Sequence, residues 1–430
     1  MKNERLTDLI IYLTKNTVLG DFIKPARDAL DYVRNSNAGS RNFNMPDFIT
    51  LGVLRHIQGI STLREQIQSL FHMDDTNVEK LPMARSTMSD ALASEKRTVV
   101  LHSLIPVLVK QARSILPDRL SSFEALKDRP VLAMDGTYQQ ESSHYKRLTP
   151  KQNGDDNPKG HALLSFYDIR LGCPIDVSVE TINQHELKTL RNYHQLDHAV
   201  THIPNALWLV DRGFIDAKFW DQQKKSKNIT MITRMKSSLK IVSSEELIFT
   251  KNVRNEGVVS DQKIHLQSSS HVWRLVTYLS PKGNTVQFLT NDFELEPGLI
   301  AFLYSRRWDE EKCFDTWKND YAQAKAWGSR FNSIVNQCLL AIITSLLMAL
   351  FLHEKMGKND IRDEKALRKQ VLRQSTDYDS TDRPLWTLSV YRYTSKVSKQ
   401  VVRFLKYNFS KTASQILYDK QLKPMLLAYL

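Results

Sequence analysis

Apolar residues recur at intervals of three and four from Phe48 to Ile60 and from Leu101 to Ile115, the spacing of helices that bury one face. Residues 1–128 read as helical throughout. Thr62-Leu63-Arg64-Glu65 has the form of a capping box, so a helix is expected to start there and to run to about Phe71. Ala84 to Leu92 reads as a short polar-faced helix after a turn. Two roles stay open for it: the groove-reading element of a helix-turn-helix, or an ordinary helix facing solvent.

From Arg129 the pattern changes to short β-type runs at Val131–Met134, Ala162–Tyr167 and Ile175–Glu180, with Gly172 and Pro174 marking the turn between the last two. Three strands in succession without a helix imply antiparallel pairing. A helix over about 185–195, a strand at Ala206–Val210, a basic helix around Ala217–Lys227 and a strand at Ile229–Thr233 follow. The order β-β-β-α-β-α-β predicts an α/β mixed sheet with helices packed on it. Ser237 to Asp292 returns to β texture, with candidate strands at Lys263–Gln267, His271–Leu279 and Thr285–Thr290, and interrupts the α/β alternation. A helix is then expected from Glu296-Pro297 through Lys318, proline being suited to a first turn. After Gly328 a long helix carries the 15-residue apolar run Cys338–Leu352, short of the roughly 20 residues a bilayer requires and interrupted by Thr344 and Ser345. It is read as a buried core helix. Residues 355–430 read as mostly helical and basic.

A chain of 430 residues exceeds one compact core in most architectures, and 41% hydrophobic with 25% charged residues is an ordinary globular balance. Sixty Lys and Arg against 47 Asp and Glu leave a formal charge of +13. That excess suits a polyanionic partner, and charge alone leaves nucleic acid and membrane surface both open. Three cysteines without paired spacing imply neither a disulfide framework nor a zinc site. The N-terminal segment lacks the pattern of a signal peptide, so a cytoplasmic location is expected.

The candidate chemistry lies in three places. Asp135 follows the apolar run Val131–Met134, and Asp211 follows Ala206–Val210; each is read as a strand-end aspartate at a turn. Either alone is ordinary, but the first and fourth strands can lie side by side, which would put both carboxylates at one edge of the sheet. The third place is the segment Tyr304 to Lys318. At about 100° per residue, Tyr304, Arg307, Glu311 and Lys318 fall within a stripe roughly 60° wide, while Asp309 and Glu310 turn away from it. By itself such a stripe also fits a solvated face with local ion pairs. Joined to the two aspartates, it offers an all-oxygen donor set suited to Mg²⁺, and two ions about 4 Å apart would serve in-line phosphoryl displacement. Arg307 could hold a phosphate in a bidentate fork, and Lys318 a neighbouring one.

The spacing Tyr-x2-Arg-x3-Glu-x6-Lys, with Arg307-Trp308 inside it, is similar to the signature of bacterial insertion-sequence DDE transposases of the insertion sequence four family. Asp135-Gly136-Thr137 and Asp211-Arg212-Gly213-Phe214 resemble that family's two aspartate regions. The resemblance spans residues 129 to about 320 and implies a division into a helical DNA-binding region (1–128), the first part of an RNase H-like catalytic core (129–236), a β-rich insertion (237–292), the core's glutamate helix (293–330) and a helical basic region (331–430). It implies a transposase that binds the inverted repeats at transposon ends, cleaves the DNA and joins the 3′-hydroxyls to double-stranded target DNA as a synapsed homodimer, with no membrane involved. Asp135, Asp211 and Glu311 would hold two Mg²⁺, with Mn²⁺ as a substitute. Tyr304, Arg307, Lys318 and Arg212 would contact DNA.

Some members of that family stack a flipped base on a tryptophan in the insertion, and Trp273 and Phe288 are the aromatic candidates here; Trp273 is equally read as a packed strand residue. The competing function is a catalytically silent, transposase-derived DNA-binding regulator. A nuclease of the same fold that never joins strands is the third possibility. Gln184-His185-Glu186 begins like a zinc-protease helix, but Thr189 stands where the second histidine is needed, and that motif fails. His144 and His161 flank a polar, basic loop that is expected to lie over DNA or to move rather than to bind metal.

Overall fold

The computed structural model describes residues 10–72, 84–142, 160–181, 185–280 and 283–356, apart from a few positions between 12 and 42, together with residues 402, 403 and 405. The polar loop with His144 and most of the basic tail lie outside the described residues.

One sheet organises the molecule. Its nine strands run in the order β3-β2-β1-β4-β5-β9-β8-β7-β6. The first three, β1 (Val131–Gln140), β2 (Gly160–Asp168) and β3 (Cys173–Thr181), form the expected antiparallel meander. Gly172 turns the chain between β2 and β3 at φ 74°, a backbone conformation that favours a residue without a β-carbon. β4 (Leu207–Val210) and β5 (Thr230–Arg234) follow, β4 parallel to β1 and β5 parallel to β4. The first and fourth strands are therefore neighbours, an arrangement the element order allowed. All four residues of β4 are buried, because helices cover the sheet on both sides there.

Residues 237–292 do not form a module apart. β6 (Ile241–Glu246), β7 (Val258–Leu266), β8 (Val272–Leu279) and β9 (Thr285–Thr290) continue the same sheet, with β9 antiparallel to β5 through Ile232↔Thr290 and Thr233↔Leu289. β6 was not foreseen from the sequence. All its residues are exposed, so no alternation of apolar and polar positions marked it, and it forms the sheet's edge. The return of the chain is fixed by the buried pair of Arg129, just before β1, with Asp292, just after β9, at 2.6 Å. A second buried pair, Arg274 to Asp261 at 2.7 Å, ties β8 to β7.

On one face of the sheet, α6 (Glu186–Gln195) and α7 (Ala217–Lys227), the latter through Trp220, close over Phe166, Trp208 and Trp273. On the other, α8 (Pro297–Arg306) closes over Tyr167, Leu209, Ile232, Val276 and Phe288. The N-terminal helices α1 (Val18–Leu30), α2 (Met45–Gln58), α3 (Leu63–His72), α4 (Arg85–Leu92) and α5 (Glu95–Ile115) belong to a third core, shared with β3 and with α10 (Phe331–Met356). The capping box holds: the Thr62 hydroxyl accepts from the Glu65 amide at 3.1 Å. Residues 331–354 of α10 are long and apolar enough to cross a membrane, but 89% of the most apolar stretch is buried inside the protein, as expected of a core helix. It packs on α5, α2, α1 and β3. The approach to α2 is close: a β-carbon on Gly52 would stand 2.5 Å from Leu340 Cδ1.

Candidate active site

The parallel pairing of β1 and β4 ends at Met134↔Val210, so Asp135 and Asp211 come next on adjacent strands spaced roughly 4.8 Å apart. Asp211 ends its strand as expected and caps a 3₁₀ turn, Arg212–Phe214, by accepting from the Arg212 amide. Asp135 does not end its strand, which corrects the expectation of a turn there. β2 still runs alongside, and β1 continues to Gln140 with Asp135 opposite Ser165. Asp135 is instead the point where β1 outlasts β4.

The expected single helix over Glu296–Lys318 is broken at Arg307, which joins α8 to α9 (Trp308–Asn319). The Arg307 amide donates to Tyr304 O and its own carbonyl accepts from the Glu310 amide, both at 3.1 Å, so the junction is wound tighter than an α-helix. Arg307 is 7% exposed. From there Nη1 donates to Asp135 Oδ2 at 3.0 Å and Nη2 donates to Glu311 Oε1 at 2.5 Å. One guanidinium thus joins a strand aspartate to the helix glutamate, and Asp211 stands beside that aspartate.

A family model described as the transposase DDE domain matches residues 126–347, just over half of the chain and the whole stretch that builds this arrangement. The chain belongs to the DDE transposase domain family. A Sinorhizobium fredii protein named as a transposase, y4zB, is 24% identical over 212 residues, covering 46% of this chain and 55% of that protein. The chain thus spans about half the length of this curated relative. Among solved structures, a piggyBac transposase synaptic complex with hairpin DNA aligns with 98% of this chain and 84% of its own, at 10% identity and a TM-score of 0.38.

The electrostatics of this candidate site are those of crowded carboxylates. Burial pushes Asp135 up to about 6; Arg307 and the Gly136 amide oppose that shift, and Glu311 and Asp211 add to it. Burial acts against the charge of Arg307, but Asp135, Tyr304 and Glu311 more than compensate, so its guanidinium is held more firmly protonated than in water. Among the described residues no three His, Cys, Asp or Glu side chains close into a finished metal cluster. The donor set still fits a hard divalent cation: oxygen ligands only, drawn from β1, the end of β4 and α9, with Glu311 and Asp211 both raising the cost of charge on Asp135.

Two carboxyls join the site that the sequence reading set aside. Glu310 does not turn away to solvent. It is fully buried, facing Ser165 of β2 and the backbone of Asp135, and burial first, then the charge of Asp135, drive its carboxyl well above the carboxylate range. Helical phase correctly separated it from Glu311 but could not say that its side of the helix meets β1 and β2. Glu186, the first residue of α6, brings its carboxylate against Gly136, the residue after Asp135, and Gly213, two residues after Asp211. Burial, Asp135 and Asp211 push it up to about 7, with Arg307 opposing. The sequence signal was Glu186 itself, discounted because the zinc motif around it failed.

The remaining predicted residues divide. Tyr304 is buried, its ring 5.2 Å from Phe288, and its phenol is raised by burial against the opposing charge of Arg307. Lys318 is exposed on α9; partial desolvation of its ammonium lowers its pKa and Asp135 opposes that shift. Arg212 is exposed on the turn after Asp211. Trp273 does not reach the site. It is 1% exposed, its Nε1 donates to Ser269 Oγ at 3.0 Å, and it packs with Trp220 on the face of the sheet opposite Tyr304. Strand alternation explains this: Trp273 and Leu275 face one side of the sheet, Val276 the other.

Proposed function

We propose that this chain is an active transposase that binds transposon-end DNA, cleaves it and joins the freed 3′-hydroxyls to target DNA by metal-dependent phosphoryl transfer. The observation that carries this is the shared guanidinium: Arg307 bridges Asp135 and Glu311 while Asp211 lies on the strand beside Asp135. Three acidic groups far apart in sequence meet on a basic chain with net charge +13. The strand order β3-β2-β1-β4-β5, antiparallel and then parallel, supports an RNase H-like core. The Tyr304, Arg307, Glu311, Lys318 spacing supports placement near the insertion sequence four family.

In this reading Asp135, Asp211 and Glu311 hold two divalent ions, Mg²⁺ in the cell. Such ions would activate a water or a 3′-hydroxyl and stabilise the leaving oxygen. Arg307 has two tasks. Without ions it neutralises Asp135 and Glu311; with DNA present its fork suits a phosphate at the scissile position. Lys318 and Arg212, both exposed, meet neighbouring phosphates. Tyr304, packed on Phe288, fixes the wall from which Arg307 projects. The DNA partner is the pair of transposon ends held by a homodimer, with target DNA joining later.

The test is cleavage of duplexes carrying the DNA that flanks the coding sequence, in Mg²⁺, by wild type and by Asp135→Ala, Asp211→Ala and Glu311→Gln. Each variant is expected to bind the duplex and to lose nicking by at least about a thousandfold. A Glu311→Gln protein that nicks at the wild-type rate overturns the assignment. A wild-type protein that binds ends but never cuts them marks a silent regulator.

A further inference from the structure

Arg307 satisfies Asp135 and Glu311, but nothing comparable serves the other side of the site. Among the described residues no basic side chain forms an ion pair with Asp211 or with Glu186, and no hydrogen bond reaches the Glu186 carboxylate. The packing nevertheless directs that carboxylate inward. α6 packs on the 3₁₀ turn after Asp211 and on β2 and β3, which brings its first residue beside Gly136 of β1 and the turn after β4. A β-carbon on Gly136 would collide with Glu186 Oε1, and one on Gly213 would stand 3.2 Å from Oε2. Glycine stands one residue after Asp135 and two after Asp211, and these two glycines make the seat in which the glutamate rests. A salt-bridging or purely structural carboxylate would face a donor. This one has no bonded donor, and the charges of Asp135 and Asp211 act on it more strongly than that of Arg307.

We infer that Glu186 is a fourth carboxylate of the cation site, contributing an oxygen, directly or through a bound water, to a divalent ion shared with Asp135 and Asp211. The inference rests on the metal-dependent reading above. A hard cation accounts for the arrangement because it is the partner that turns converging carboxylates from repulsive into mutually supporting. Gly136 and Gly213 then have a specific task, which is to let a third element reach the metal from the α6 side.

Mn²⁺ binding to the full chain, followed by loss of the free-ion electron paramagnetic resonance signal, tests this in wild type, Glu186→Gln, Gly136→Ala and Asp211→Asn. Melting in EDTA is measured alongside. Glu186→Gln and Gly136→Ala are expected to weaken Mn²⁺ binding about tenfold or more. Glu186→Gln should melt in EDTA at or above the wild-type temperature, since one of three facing acids has lost its charge. Wild-type affinity in Glu186→Gln with lost affinity in Asp211→Asn overturns the role of Glu186 and leaves the metal reading standing. Wild-type affinity in both, or no Mn²⁺ bound by wild type, overturns both. A Glu186→Gln protein that melts lower in EDTA with unchanged affinity assigns the residue a structural role and also overturns the inference.

Discussion

Arg307 donates to Asp135 at 3.0 Å across 172 residues of sequence, from a side chain only 9% exposed. The same guanidinium holds Glu311, so the two acids furthest apart in the chain are set against one buried cation. In the absence of a metal this contact keeps the site assembled.

Removing that cation has a testable cost. Arg307→Ala leaves Asp135 and Glu311 facing each other unpaired, and is expected to destabilise the metal-free protein by about 2 kcal/mol. Part of that loss should return when Mg²⁺ is added, because the ion replaces the missing charge. Urea unfolding of wild type and variant, each with and without Mg²⁺, measures it; a variant as stable as wild type in EDTA would show the bridge to be of no consequence.

Phosphate contacts should appear as a salt dependence. Lys318→Ala and Arg212→Ala, both on exposed positions, are each expected to lower the slope of log affinity against log salt by about 0.9 for end DNA. Their melting temperatures should stay within a degree or so of wild type. Fluorescence anisotropy between 50 and 300 mM salt, roughly a hundredfold span of affinity for a several-phosphate footprint, resolves this difference. An unchanged slope removes that residue from the interface.

Acid stability should depend on His56. Its ring is fully buried between α2 and α10, bonded to Gln337 O at 3.1 Å and 4.4 Å from Trp327, and burial lowers its pKa from 6.5 to about 3. The folded state therefore holds a neutral ring where the unfolded chain takes up a proton, and stability falls as pH drops through 6.5. The contribution is at most about 1.4 kcal/mol per pH unit. His56→Gln should show a shallower loss than wild type between pH 6.5 and 4.5 in denaturant titrations; equal slopes would mean the ring is protonated in the fold.

The pair Arg129–Asp292 is the other buried charge contact with a clear consequence. Burial alone would raise Asp292, but Arg129 and the amides of Leu295 and Glu294 bring it below the ordinary value. Arg129→Met is expected to cost about 3–5 kcal/mol, since an uncompensated carboxylate is left inside the protein. The double variant with Asp292→Leu should recover much of the loss. Thermal unfolding of the three proteins checks this, and a single variant no worse than the double would contradict it.

Much of this protein is legible in its sequence because the decisive patterns are local. Short β-type runs and period-three-to-four spacing marked eight of the nine strands and the helices that flank them, and the order of those elements allowed the strands of Asp135 and Asp211 to lie side by side. Helical phase singled out Arg307 and Glu311, which the structure joins at 2.5 Å. What the tertiary structure alone decided depends on partners far along the chain. The partner strand β2 carries β1 past Asp135; β9 docks on β5 and so draws residues 237–292 into the main sheet; alternation on β8 turns Trp273 away from Tyr304. Above all, whether an acid is solvated, neutral or aimed at other acids follows from what packs on it. The placement of Glu310 beneath Asp135 and of Glu186 over Gly136 and Gly213 could not be read locally, because burial and electrostatic crowding are properties of three-dimensional proximity.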